Sequence, residues 1–80
     1  GEMAMPKTFS VFPNPATGYI TVRLPEAETG LLELTDMTGR KMMSMRVVAP
    51  VYELSLDISG LPQGMYLVRL NGYCGRVVRW

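Results

Sequence analysis

The side chains that could do acid–base or covalent chemistry are few in this chain, and none has a partner at a useful spacing. There is no histidine, which removes the commonest general base and the commonest metal ligand. Ser10, Ser44, Ser55 and Ser59 therefore have no imidazole to activate them. Cys74 is the single cysteine, so there is no internal disulfide and no four-cysteine metal site. It reads as a small, half-buried residue; exposed, it would leave room for a weak or disulfide-linked dimer. The carboxylates are Glu2, Glu26, Glu28, Glu33, Asp36, Glu53 and Asp57. Glu26 and Glu28 read as solvated loop charges. Asp36 and Asp57 stand near strand ends, where such residues stabilise turns. No calcium-loop spacing occurs. Gly60 and Gly64 lack the Lys-Ser/Thr and following helix that a phosphate loop requires. The chain reads as non-enzymatic, without metal or cofactor.

Composition narrows the function classes further. Eighty residues make one domain, which buries only about 60% of the surface its unfolded form exposes. The hydrophobic fraction of 48% and charged fraction of 19% are those of a folded protein. A net charge of +1 argues against a nucleic-acid partner, which would need clustered Lys and Arg. No apolar run approaches the roughly 18 residues that span a bilayer, so no membrane insertion is expected. No leader is read at the start, and "GEMAM" (1–5) looks partly like a remnant of cloning.

The elements that must carry any site are strands. In "GYITVRL" Ile20, Val22 and Leu24 alternate with Tyr19, Thr21 and Arg23. In "YELSLDI" Tyr52, Leu54, Leu56 and Ile58 alternate with Glu53, Ser55 and Asp57; in "MYLVRL" Tyr66, Val68 and Leu70 oppose Met65, Leu67 and Arg69. Strict period two marks half-buried strands. Gly, Asn and Pro punctuate the runs at "PNPATG", "PEAETG", "DMTGR", "APV", "SGLPQG" and "NGY". Strands are predicted at 8–12, 18–24, 30–36, 40–48, 52–58, 64–71 and 74–80. Seven short strands at this spacing predict an all-β, antiparallel sandwich. Asn-Gly makes the last hairpin the best-signalled pairing, and "TFSVF" reads as an edge strand. Met43 and Met45 share one strand face and read as core filling. Met42 is expected outward, on a contact surface.

Three stretches carry a family likeness. "VFPNPATGYITVRL" (11–24) opens on an aromatic-Pro-Asn-Pro. "LELTDMTGRKM" (32–42) holds a strand-Asp-x-x-Gly-Arg turn. "LDISGLPQGMYLVRL" (56–70) ends in Leu-x-x-Gly-x-Tyr. In this order they resemble the C-terminal sorting domain of proteins exported by the type IX secretion system of Gram-negative bacteria. The likeness covers residues 9–80 and leaves 1–8 as linker or cloning remnant. It implies a seven-stranded Ig-like sandwich that serves as an address for an N-terminal cargo domain. The cargo would pass through the periplasm, be read by the outer-membrane secretion machinery, and reach the cell surface or medium. A sortase-like peptidase would then remove the domain.

Carried onto this sequence, the family motifs fall on Pro13, Asn14, Pro15, Asp36, Gly39, Arg40, Leu61, Gly64 and Tyr66. Pro13 and Pro15 should stiffen the entry, and Gly39 and Gly64 should supply positive φ. Tyr66 should place its ring in the core and its hydroxyl on a backbone group. Partner recognition is expected from Arg69, Arg76, Val77, Val78, Arg79 and Trp80. Family members commonly finish on a basic residue, whereas this chain keeps Arg76 and Arg79 but closes on Trp80. The last strand is expected to offer a free edge that a receptor extends by strand addition. The rival reading is a non-signalling Ig-like accessory or carbohydrate-binding module of a surface protein.

Overall fold

Period-two alternation commits most of the chain to strands, and strands are what form in the computed structural model, which describes residues 7–80. They are β1 (Lys7–Thr8), β2 (Ser10–Phe12), β3 (Tyr19–Asp36), β4 (Lys41–Asp57), β5 (Gly64–Leu70) and β6 (Tyr73–Arg79). No helix occurs among the described residues. The all-β expectation holds, and the pairing is antiparallel except where β1 joins β6 and at the isolated Ala16–Arg79 bridge. Most of the expected linker at 1–8, together with Met3 and Met5, lies outside the described residues. Its last two residues, Lys7 and Thr8, pair with Tyr73 and Cys74.

The strand count differs from the seven read in the sequence. The segments at 18–24 and 30–36 are one continuous strand, β3, and those at 40–48 and 52–58 are one strand, β4. "PEAETG" and "APV" bend the chain instead of reversing it. The β3–β4 register slips between Arg23 and Glu28, where the extra residues bulge out of β3, and again between Glu28 and Gly30, where they bulge out of β4. A bulge sharpens twist and tolerates the proline that a regular ladder rejects, which accommodates Pro25.

These bends fold the sheet over itself. The small limb contains β2, Tyr19–Arg23 of β3 and Glu53–Asp57 of β4. The broad limb runs through the first part of β4, the second part of β3, then β5 and β6. Ile20, Val22, Leu24 and Leu56 of the small limb are buried. So are Leu32, Leu34, Val68, Leu70 and Val77 of the broad limb. Each such side chain contributes about 1.5–3 kcal/mol when fully buried. Met43 and Met45 pack against this core as expected. Met42 does so too, contrary to its expected outward position. A register slip between Leu34 and Thr35 leaves Lys41, not Met42, opposite Thr35. Tyr52 is a second departure. It stands where β4 passes between limbs and is 65% exposed, although it alternates in phase with Leu54 and Leu56.

Gly64 opens β5 at φ 153° and Gly39 sits at φ 92°, both in the positive range that favours glycine. No heavy atom lies within 4 Å of a Cβ built on Gly64, so backbone conformation alone resists substitution there. Gly64→Val should lower stability by about 1–3 kcal/mol. Denaturant melts of the two chains check this, and the midpoint should fall without a change in slope.

Candidate functional site

The first motif is tied to the last strand. Pro13 and Pro15 have no N–H to offer, so the amide of Asn14 does the bonding between them. Its Oδ1 accepts from the Val78 N–H at 2.9 Å, and its Nδ2 donates to the Arg76 carbonyl at 3.4 Å. Ala16, buried among the core residues, continues the ladder through its backbone. Its N–H donates to the Val78 carbonyl at 2.8 Å, and its carbonyl accepts from the Trp80 N–H at 2.8 Å. With β1 against Tyr73 and Cys74, the outer edge of β6 is occupied along its length. This corrects the expectation of a free edge there. The side-chain amide of Asn14 and the backbone of Ala16 replace a neighbouring strand. Among the described residues the strands that pair with one neighbour only are β1 with β6, and β2 and β4 with β3.

The second motif is a turn organised by one carboxylate. Oδ1 of Asp36 accepts from the Thr38 N–H at 2.9 Å, the Thr38 hydroxyl at 2.6 Å and the Arg40 N–H at 3.0 Å. The Gly39 N–H donates to the Asp36 carbonyl at 3.0 Å. Arg40 lies 3.5 Å from the second carboxylate oxygen through Nε. The Thr38 hydroxyl above all, with the two backbone donors and the Arg40 charge, holds the Asp36 carboxyl below its ordinary range against the opposing effect of desolvation. Asp57 is held low in the same way, first by the Ser59 hydroxyl and then by the Ser59 N–H.

A carboxyl depressed by folding stabilises the fold above the unfolded value, about 3.9. That contribution is lost as pH falls through the folded value. Stability should therefore decline as pH is lowered from about 5 towards 2. In the double variant Asp36→Asn, Asp57→Asn that acid decline should be shallower, as read by denaturant midpoints across the same range.

The third motif locks the start of β5. Leu61 packs against the core, and its N–H donates to the Ile58 carbonyl at 3.0 Å. The Tyr66 ring is buried and its hydroxyl donates to the Pro62 carbonyl, as the sequence predicted. Arg79 reaches the same loop from β6. Its Nε donates to the Ile58 carbonyl at 3.3 Å and its Nη2 to the Ser59 carbonyl at 3.1 Å.

The six residues expected to meet a partner therefore divide. Val77 is fully buried and fills the core, and Arg79 braces the loop. Arg69 and Arg76 are exposed, Val78 is half-buried, and Trp80 is 63% exposed. Alternation along β5 and β6 places Arg69, Arg76 and Val78 on the outer face of the broad limb. "RVVRW" carried this signal, because two adjacent valines on a strand cannot both face inward. Two other positions had no signal of their own. A Cβ on Gly75 would sit 2.8 Å from the Phe9 ring and 2.9 Å from a Val11 methyl, and one on Gly30 would sit 2.6 Å from Asn71 Oδ1. Asn71, at φ 58° in the last hairpin, donates from Nδ2 to Glu28 at 2.7 Å and to the Thr29 carbonyl at 2.8 Å.

Three turn motifs that each lock a strand end, with a charged outer face left over, define a small folded recognition domain, here a secretion signal. The chain belongs to the secretion system C-terminal sorting domain family, whose model matches residues 10–79. It is a sorting signal for type IX secretion, which directs an attached protein out across the outer membrane. No curated protein and no solved structure matched the chain.

Proposed function

We propose that the domain is an Ig-like sandwich whose outward β5–β6 groups are read by the outer-membrane machinery after the cargo has reached the periplasm. The two limbs correspond to the two sheets. If β1 and β2 count as one strand and each long strand is divided at its bend, the segments number seven. Pro13, Asn14, Pro15, Asp36, Gly39, Arg40, Leu61, Gly64 and Tyr66 hold the fold. Arg69, Arg76, Val78 and Trp80 form the recognition surface, with Val77 and Arg79 supporting it from within. The domain has no catalytic role of its own. A sortase-like peptidase removes it once the cargo has crossed, leaving the cargo on the surface or released.

One observation carries this reading: the β5–β6 hairpin and the residue after it spend Val77 and Arg79 on the fold and leave Arg69, Arg76 and Trp80 in solvent. The experiment is a reporter with a periplasmic leader, fused in front of the full chain. It should reach the cell surface, without the domain, only in cells with an intact type IX apparatus. Surface display in cells lacking the apparatus would overturn the proposal.

A further inference from the structure

Charge is not spread evenly over the two outer faces. On the small limb Arg23 bonds Glu53 at 2.8 Å, and Asp57 lies on the same face. On the broad limb the register aligns Arg46 with Leu31, then Ser44, Glu33, Arg69 and Cys74 in one row. Lys41, Thr35, Leu67 and Arg76 form the next row, and Met65 and Val78 the last. This face carries four cations, Lys41, Arg46, Arg69 and Arg76, and one carboxylate, Glu33. Lys41 engages Glu33 at 2.8 Å. Among the described residues no carboxylate pairs with Arg46, Arg69 or Arg76. Between the arginines run apolar side chains: Leu31 at 37% exposure, Met65 at 40%, and the half-buried Leu67 and Val78.

We infer that this four-strand face docks an acidic protein surface, with Leu67, Met65 and Val78 against an apolar ridge, Arg69 and Arg76 on carboxylates beside it and Arg46 on a further one across the face. The inference rests on the sorting reading and names the chemistry of the partner. Leu67, Met65 and Val78 lie together at one end of this face with Arg69 and Arg76 bordering them, and Arg is enriched and Lys depleted at protein interfaces. The planar guanidinium fork pairs with a carboxylate through two parallel hydrogen bonds. A hydrogen-bonded sheet holds the arginines at fixed spacing, which lowers the ordering cost of docking. Four strands about 4.8 Å apart and seven residues long make a patch of roughly 400 Å². That is the size of a transient contact, as suits an address that is read and passed on. A phosphate-bearing ligand would leave these apolar side chains idle, and the half-buried Leu67 and Val78 project too little to wedge into a bilayer.

The test uses the whole chain, as the purified domain and as the reporter fusion. The probe is the detergent-purified outer-membrane type IX complex. Arg69→Glu with Arg76→Glu should weaken binding at least about 10-fold and slow export of the reporter, while its melting midpoint stays near wild type. Arg23→Glu, on the opposite face, should leave binding unchanged. Arg69→Lys with Arg76→Lys should recover part of the loss, and added salt should weaken the wild-type complex. Vesicles with 30% anionic phospholipid form the second arm, in which the wild-type domain should not bind. Wild-type affinity of the Arg69→Glu, Arg76→Glu variant for the complex, or tight binding of the wild type to the vesicles, would overturn the inference. Failure of the sorting reading looks different: the wild-type reporter itself would not depend on the apparatus.

Discussion

Gly75→Val is expected to cost about 3 kcal/mol or more, most of the stability a domain of this size possesses. Overpacking a core usually costs about 1–3 kcal/mol, and this site sits at the upper end for a specific reason. The first added carbon already lies 2.8 Å from Phe9 Cε1 and 2.9 Å from Val11 Cγ2. Two more methyls would enter the same space. Phe9 cannot simply swing away, because its ring stacks on Tyr73 with centroids 6.0 Å apart. Val11 is fixed in register opposite Val22. The valine must therefore separate β2 from β6, where Asn14 and Ala16 close the curled sheet. Denaturant melts should show a large drop in midpoint. Gly60→Ala, with nothing within 4 Å of the new carbon, should change stability by about 0.5 kcal/mol or less. A double-mutant cycle identifies the cause: Phe9→Ala destabilises alone, yet it should partly rescue Gly75→Val by making room. Additive losses in that cycle would mean the clash is not the mechanism.

The parts of the fold that were legible in the sequence are those set by local chemistry. Alternation gave the strands and their inward sets, and it predicted the buried ring of Tyr66 and the core roles of Met43 and Met45. Asp-x-x-Gly-Arg and Leu-Pro-x-Gly announced their turns, because an acceptor at the strand end and a glycine at positive φ are local requirements. What was not legible depends on long-range register. Pro25 and Gly30 signal a break in the ladder, but a bulge and a reversal use the same residues. Only the partner strand decides between them, and here β3 and β4 bend together and run on. The free edge expected at β6 was missed for a related reason. Asn14 is 64 residues from Val78, and nothing nearby indicates that a side-chain amide will act as a strand. The candidate site was legible in type but not in membership. The arginines and Trp80 stood out in "RVVRW", whereas Leu31, Arg46, Met65 and Leu67 join them only through the register of four strands.

Removing Gly75–Trp80 should abolish export of an attached reporter, and it should do so chiefly by unfolding the signal. The deletion removes Val77 from the core, a loss of about 1.5–3 kcal/mol. It frees the Asn14 amide and the Ala16 backbone of their partners. It strips Arg79 from the Ile58 and Ser59 carbonyls and leaves one side of β5 unpaired. Against a total of about 5 kcal/mol these losses are not survivable, so the result alone would not separate reading from folding. The pair Arg76→Ala with Trp80→Ala does separate them. Both side chains are exposed, and Arg79 is kept because it braces the loop. The backbone bonds to Asn14 and Ala16 also survive, since they use main-chain groups of Arg76 and Trp80. This variant should melt within about 0.5 kcal/mol of the wild type, yet deliver little reporter to the cell surface and leave it in the periplasm. If it is delivered at the wild-type rate, these two side chains are not what the machinery reads. The last strand then serves the fold alone: it closes the curled sheet that holds the rest of the broad face in place.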